Sequence, residues 1–512
     1  MRAFRSRSFL TLTLLVATGC SKSLTQIEDL APSTPVSADA NAGNWRMILL
    51  SGPSQLPVPA PDSATSGSYR AEIAAIRASQ ASLTDKQRAA IEYWSGGGVL
   101  RWNQLVRTLA AHYDLPPAPR DGAYPAPDAA NPTADPQFPF SNPPYSARAY
   151  SYLSVAQFEA LKVAWYYKYQ YNRPSPARVD ATVLALTPAT DLPAYPSEDA
   201  VLAGVSETLL KALYPVSADE ITAWAAEQRE SARLSGKASD SDLAAGQALG
   251  QAVAAVFLAR ARADGMGAAA GNAALFQSLA DAATARGEVA WKSLETPPRP
   301  PMLANFGQVR AWMLTPAEIV SERPSAPPST SSAQMKQELA EVKDTVEHLT
   351  REQLAICHKW ADGVSTSSPP GHWNAIASDY VARAHFSEVR AARVFALLNM
   401  VEHDAAVGCW EAKFAYFNPR PSQLDPSIRT VVGLPNFPSY TSGHSTFSAG
   451  AAAVLSYVFP AGTAEFDAMK DEAAISRLYG GIHYRSDIEV GKDHGRRIAG
   501  YTLRFARQDG AD

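Results

Sequence analysis

Cysteine is scarce in this chain of 512 residues: three occur, Cys20, Cys357 and Cys409. That excludes a disulfide-built scaffold and any Cys-x2-Cys zinc site. After the first twenty residues no window approaches the ~18 consecutive apolar residues of a membrane span, so a soluble body is expected. An excess of either charge is missing too. The net charge is −4, which gives no electrostatic case for a nucleic-acid partner; an anionic ligand would need a local basic cluster. There is no Gly-x-Ser-x-Gly elbow and no phosphate-binding P-loop. Strand-like alternation is rare. Histidine is nearly absent from the first two-thirds: of nine, only His112 precedes residue 347.

What is present begins with an export signal. Arg2, Arg5 and Arg7 precede a short apolar run from Phe9 to Ala17, and Ala17-Thr18-Gly19 lead into Cys20. Small residues directly before a cysteine resemble a bacterial lipobox, with Ala17 standing where leucine is commoner. Cys20 is therefore the candidate lipidation site, and the expected location is periplasmic or membrane-tethered. The polar stretch 21–42 reads as a flexible tether. Export would permit a Cys357–Cys409 bridge, but both lie in helical stretches, where a buried thiol is the commoner state; no bridge is expected.

The remainder reads as helix. Residues 86–112, 147–170, 198–213, 218–234, 241–263, 270–292, 335–362, 374–416, 443–459 and 464–480 carry apolar residues three and four apart among good helix formers. Proline-rich breaks fall at 115–144, 297–301 and 324–328. Pro324 to Ser332 suggests a linker. The expected organisation is a helical half over 43–295, a Pro/Ser-rich linker over 296–334 and a second helical half over 335–508.

The halves resemble each other. Lys168, Asn172-Arg173-Pro174-Ser175, Leu192-Pro-Ala-Tyr-Pro-Ser197, Leu213-Tyr-Pro215, Arg233-Leu-Ser-Gly236 and Asp242 recur in order as Lys413, Pro419-Arg420-Pro421-Ser422, Leu434-Pro-Asn-Phe-Pro-Ser439, Val458-Phe-Pro460, Arg477-Leu-Tyr-Gly480 and Asp487. In this alignment Ala200-Val201-Leu202 face Ser442-Gly443-His444, and Ser239 faces His483. The first half is then a degenerate copy that keeps the scaffold and lacks the site.

Three segments of the second half carry chemistry: Lys413-x6-Arg420-Pro421, Ser442-Gly443-His444 and Ser476-Arg477-x5-His483-x3-Asp487. Arg420 and Arg477 can each grip a tetrahedral oxyanion through two nitrogens, and Lys413 adds a third positive charge. Ser442 and Gly443 open a helical run, whose first N–H groups favour an anion. His483 is the candidate nucleophile, with Asp487 holding one ring N–H so that the other nitrogen presents its lone pair. His444 is the candidate general acid. Such a cradle would cleave a phosphate ester through a phosphohistidine, with no metal required, since Lys and Arg supply the charge stabilisation. Singly, each residue has a blander role, as a solvated charge, a helix cap or a packed histidine; seven in order within one half do not.

These blocks resemble the three signature blocks of the type 2 phosphatidic acid phosphatase and vanadium haloperoxidase superfamily. One position departs: Thr441 stands where many members carry proline. The resemblance implies an all-α fold of two related helical bundles, the C-terminal one catalytic. It also implies that Lys413, Arg420, Ser442, Gly443 and Arg477 hold the oxyanion, His444 is acid–base, and His483 is nucleophile or vanadate ligand. Trp410 and Phe437 match aromatic positions near the vanadate in the haloperoxidase branch. A phosphatase acting on a small phosphate ester, with no cofactor, is the first expectation. A haloperoxidase using vanadate, halide and hydrogen peroxide is the alternative, and an inactive tethered scaffold is the third. His403-Asp404 and Gly371-His372-Trp373-Asn374 lack metal-site spacing; they are expected to pack, with 371–374 bordering the pocket.

Overall fold

The structure is a computed structural model that describes residues 29–119, 122–124 and 140–511. The expected signal segment, Cys20 and the first part of the tether lie outside the described residues. Among the described residues the chain is helical, with no β-strand. Helix starts are set by short polar side chains: Asn142, Ser197, Ser239, Ser387 and Ser442 each accept the N–H three residues on.

The first half is built on α1 (Pro143–Tyr171), α2 (Glu198–Leu213), α3 (Ala218–Leu234) and α4 (Asp240–Arg262). In the second, α5 (Ser368–Ala384) precedes α6 (Glu388–Tyr416), α7 (Gly443–Val458), α8 (Thr463–Tyr479) and α9 (Arg485–Ala506). Helices α1 to α4 recur as α6 to α9 at a constant offset of 245 residues, their starts being 143 and 388, 198 and 443, 218 and 463, and 240 and 485. The supporting bonds recur as well. Arg148–Asp264 returns as Arg393–Asp509, both at 2.7 Å. Glu159 accepts backbone N–H groups of Ile48, Leu49 and Leu50, as Asp404 accepts those of Trp312 and Met313.

This register corrects the alignment read from the sequence by three residues at Ser442 and by one at His483. Ser197 corresponds to Ser442, so Glu198 and Asp199 stand where Gly443 and His444 do; the counterpart of His483 is Ala238, not Ser239. The physical reason lies in backbone packing. Gly246 and Gly491 press against the starts of α2 and α7, where an added Cβ would meet Ser197 O at 2.4 Å and Ser442 O at 3.0 Å. Those contacts fix the helix starts, whereas a proline-rich loop motif can recur out of register.

Helices α1 and α6 pack along each other and are buried on nearly every side, as helices apolar all round must be. One continuous core therefore runs through both halves. The 296–334 stretch lies along α6: Trp410 donates to Met302 O, Tyr416 to Pro324 O, and Phe306 is fully buried. By length and hydropathy alone Asp240–Ala268 could cross a membrane; here α4 packs against α2.

Several expected helices are divided. The 86–112 run breaks at Gly96 and Gly97, the latter at φ +108°, which glycine adopts without strain. The 335–362 run breaks before Thr350, which caps a new helix, and 374–416 breaks at left-handed His385 before the cap Ser387. The 270–292 run ends at Ala285, with Gly287 at φ +77° just beyond. Periodicity persists through such breaks because both flanking helices face one core.

Candidate active site

Lys413 projects from the last turn of α6 and is fully buried; its Nζ donates to the carbonyls of Pro438, Ser439 and Thr441 at 2.9, 2.8 and 2.5 Å. Arg420 caps the short helix after it. Its Nε donates to Phe437 O and one terminal nitrogen to Ile482 O, while the other terminal nitrogen is buried without a partner. Arg477, on α8, donates from Nε to Ser476 Oγ at 2.9 Å and from a terminal nitrogen to Trp360 O. Ser476 thus has a use: it braces the guanidinium.

The two imidazoles enter from different elements. His483 lies between α8 and α9. Its Nδ1 is 2.8 Å from Asp487 Oδ2, which also accepts from Ser439 Oγ and the Tyr484 N–H. Nδ1–H donates to the carboxylate, so Nε2 presents a lone pair, and Arg420 lies 3.0 Å from it. His444 sits in the first turn of α7, behind Ser442. Ser442 N–H donates to Asp487 O, tying the start of α7 to the start of α9.

The electrostatics are those of a buried cationic site. Burial pushes Lys413 down to about 7 and Arg420 and Arg477 to about 10. Burial also lowers His444 to about 4, with Arg477 adding to the shift, and holds His483 well below its usual range. Asp487 is raised to about 6 by burial, against the Ser439 hydrogen bond and the charges of Lys413 and Arg420. A bound oxyanion would relieve the crowding of three cations. Gly443 is part of the cradle: its N–H lies in the first turn of α7, and an added Cβ would find only Phe447 at 3.7 Å.

Trp410 and Phe437 pack with ring centroids 4.9 Å apart and planes tilted by 49° at the cradle's edge; Lys413 Nζ and Arg420 Cζ are each 5.0 Å from the Phe437 ring. Above them opens a cavity of about 380 Å³ whose floor holds Gly443, His444, Arg477 and His483. Its wall includes Asp114, Phe140 and Pro143 of the first half. Every residue expected at the site is therefore brought to one place.

The structure adds residues that the motifs do not contain. Asp362 lies with Oδ2 3.6 Å from His444 Nε2 and Oδ1 3.0 Å from His372 Nδ1. Asp114 also lines the cavity, and burial raises its carboxyl to about 8. Neither had a sequence signal, because each comes from a loop distant in the chain. His403 and Asp404 pack under the 310–313 segment, and Asn374 joins a buried amide cluster with Asn103 and Asn399. Among the described residues no three His, Cys, Asp or Glu side chains are grouped to hold a metal ion. Cys357 and Cys409 are both free and buried.

The first half carries a cavity of similar size, about 370 Å³, in the corresponding place. It is lined by Trp165, Leu192, Glu198, Asp199, Ala232 and Lys237, where the second half has Trp410, Phe437, Gly443, His444, Arg477 and Ile482. Ser175 stands in place of Arg420 and Ala232 in place of Arg477, while a buried guanidinium two residues earlier, Arg173, pairs with Asp242, the counterpart of Asp487.

The site thus gathers three basic side chains, the first turn of α7 and two histidines within one helical bundle, an arrangement whose chemistry suits a tetrahedral oxyanion. Residues 392–510 match the PAP2 superfamily. Its fold is similar to that of solved bacterial structures. One, described as the first bacterial vanadium-dependent iodoperoxidase, superposes with a TM-score of 0.56 at 23% identity, covering 71% of this chain and 91% of that one. Another, an apo-type bacterial vanadium-dependent chloroperoxidase, gives 0.50 at 12% identity, covering 74% and 96%. No curated protein sequence matches the chain.

Proposed function

We propose that the protein is a vanadate-dependent haloperoxidase, oxidising a halide with hydrogen peroxide. This reverses the order of expectation reached from the sequence. The observation that favours it is the closure of the cradle: Lys413, Arg420, Ser442 and Arg477 are at most 1% exposed, under the Trp410–Phe437 pair. A phosphatase must release phosphate at every turnover, whereas a resident oxyanion is served by a seat whose basic side chains are buried and which is approached only from the cavity above His444 and His483. The two-bundle organisation, shared with structures described as vanadium-dependent peroxidases, supports the same reading.

The residues present fit vanadate. It is a tetrahedral oxyanion, and the site offers an unpartnered buried guanidinium nitrogen on Arg420, the first N–H groups of α7, and the His483 Nε2 lone pair. Lys413, Arg420, Arg477, Ser442 and Gly443 would hold its oxygens, and His483 would be its protein ligand. When bound, vanadate would activate hydrogen peroxide toward transfer of one oxygen to halide. The chain's own part is to exclude water, spread negative charge over three cations and carry a proton. His444, neutral above about pH 4, would accept a proton from incoming peroxide and return it, and one further proton drawn from solvent completes the products, since halide, hydrogen peroxide and one proton give hypohalous acid and water.

Phosphate-ester hydrolysis is the second reading, favoured by the tautomer that Asp487 imposes on His483, which leaves Nε2 as a lone-pair nitrogen, accepting from Arg420 until a substrate draws that guanidinium away. A paired assay separates the two. Vanadate should switch on bromination or iodination of a phenolic dye with peroxide, and His483→Ala should abolish it. Hydrolysis of p-nitrophenyl phosphate that vanadate inhibits would instead establish the phosphatase. Absence of both activities would leave the scaffold reading.

Export as a lipoprotein is proposed on residues 2–20 alone. Cell fractionation, with labelled palmitate incorporation that Cys20→Ala removes, tests it.

A further inference from the structure

His372 belongs to a sequence stretch that the oxyanion chemistry leaves unused, yet the fold brings it beside the site. It stands in the first turns of α5, on the far side of Asp362 from His444. Its Nδ1 lies 3.0 Å from Asp362 Oδ1 and 3.4 Å from Oδ2, while Oδ2 faces His444 Nε2 at 3.6 Å. One carboxylate oxygen is thus committed to His372 and the other is turned toward the general acid–base. The His372 ring lies flat on Trp360, with centroids 4.2 Å apart and planes 22° apart. The carbonyl of the same Trp360 accepts from Arg477, and its indole N–H donates to Glu472.

The support under this pair is specific. Asp362 has a left-handed backbone at φ 41°, and Ser365 and Ser368 follow at 64° and 63°. A loop so strained persists only where its surroundings hold it. The first half does so: Ser365 N–H donates to Asp114 O and Tyr150 OH to Ser367 O. Gly371 lets Tyr150 approach, since an added Cβ there would meet the Tyr150 hydroxyl at 2.6 Å. The side chains of His372, Asp362 and His444 are 23%, 10% and 16% exposed, so the carboxylate is only thinly solvated and its orientation matters.

We propose that His372, acting through Asp362, is a positioning residue for His444. It occupies one oxygen of the carboxylate, aims the other at the His444 ring, and so keeps that imidazole turned toward the bound oxyanion. Proton transfer falls steeply when donor and acceptor lose alignment, by about 100-fold for a misplacement of roughly 1 Å. The inference rests on His444 being the proton carrier, whichever of the two activities the site performs.

Two substitutions test it. His372→Phe keeps a ring on Trp360 and removes the donor to Asp362; His372→Asn loses the stack and keeps an N–H near the Nδ1 position. The charged and titratable groups around His372 are Asp362, Glu472, Lys359, His444 and Arg477, and neither variant alters them. His372→Phe should lower kcat by roughly 10- to 100-fold, the usual cost of losing an outer hydrogen-bond partner. KM for peroxide and the affinity for vanadate should stay within about twofold, because the cradle is untouched; His372→Asn should recover most of the rate.

A second readout needs no turnover. In protein carrying 13C-labelled histidine, the His444 resonance, assigned through His444→Gln, should titrate at higher pH in His372→Phe, since Asp362 then has no second imidazole sharing its charge. Equal rates for the two variants, or a His444 midpoint that does not move, would overturn the proposal. An enzyme silent in both assays but showing the shifted midpoint would overturn the activity assignment and keep the coupling.

Discussion

Glu198 stands in the first half where Gly443 stands in the second, and its carboxylate lies 2.7 Å from Lys168, the counterpart of Lys413. In the first half a side chain thus occupies the place that the oxyanion seat has in the second. Lys237 completes the filling by pairing with Asp199 at 2.6 Å and Glu198 at 3.4 Å.

Installing the same carboxylate in the second half should close the active seat. Gly443→Glu is predicted to fold, since the nearest atom to a new Cβ is Phe447 at 3.7 Å. It is predicted to weaken phosphate binding by ~100-fold or more, about 3 kcal/mol, because the new carboxylate competes for Lys413. Isothermal titration calorimetry with phosphate, beside circular dichroism, checks both halves of the statement.

Oxyanion affinity should fall as pH rises above about 7. Burial holds free Lys413 near that value, and a bound anion raises it again, so binding above pH 7 takes up a proton and weakens by up to about tenfold per pH unit. Sulfate, which does not titrate in this range, is the suitable probe. Lys413→Met should bind more weakly throughout and lose the dependence.

Each histidine buried in its neutral form should cost stability on acidification. Burial lowers His403 and His494 to about 3, from 6.5. Between pH 6.5 and 4 the unfolded chain binds protons at these rings that the folded chain does not, which favours unfolding as pH falls, by ~1.4 kcal/mol per unit for each. Buried carboxylates run the other way: burial raises Asp114 to about 8 and Glu388 and Asp404 to about 7, so the folded chain takes up those protons first. The histidine contribution is therefore read as a difference: the gap in urea midpoint between His494→Leu and the parent chain should widen from pH 7 to pH 4, and a constant gap would contradict it.

His494 should be replaceable at a gain. Both its ring nitrogens are buried without partners, and Leu249 stands at the corresponding position of the first half. His494→Leu removes two unsatisfied polar atoms from the core and should stabilise by ~1–3 kcal/mol, read as a higher urea midpoint with the slope unchanged.

The helical class, the internal duplication and the seven-residue cradle were legible because each rests on short-range chemistry. Apolar spacing writes helices, a serine before a glycine marks a helix start, and Lys-x6-Arg and Arg-x5-His hold their side chains at fixed local separations. Helix ends were less legible. The breaks at Gly97, Thr350 and His385 leave the apolar stripe intact and are decided by capping and packing.

From the sequence alone came the identity of the groups that can hold an oxyanion and the expectation that they meet. Only the tertiary structure decided the register of the repeat, through glycine contacts between backbones far apart in the chain. It alone placed Asp362 and His372 against His444, and Asp114 and Phe140 at the cavity wall. Those contacts join a strained loop, a helix start and the opposite half of the molecule. Side chains that meet across such distances leave no spacing to read, because what unites them is burial in one core.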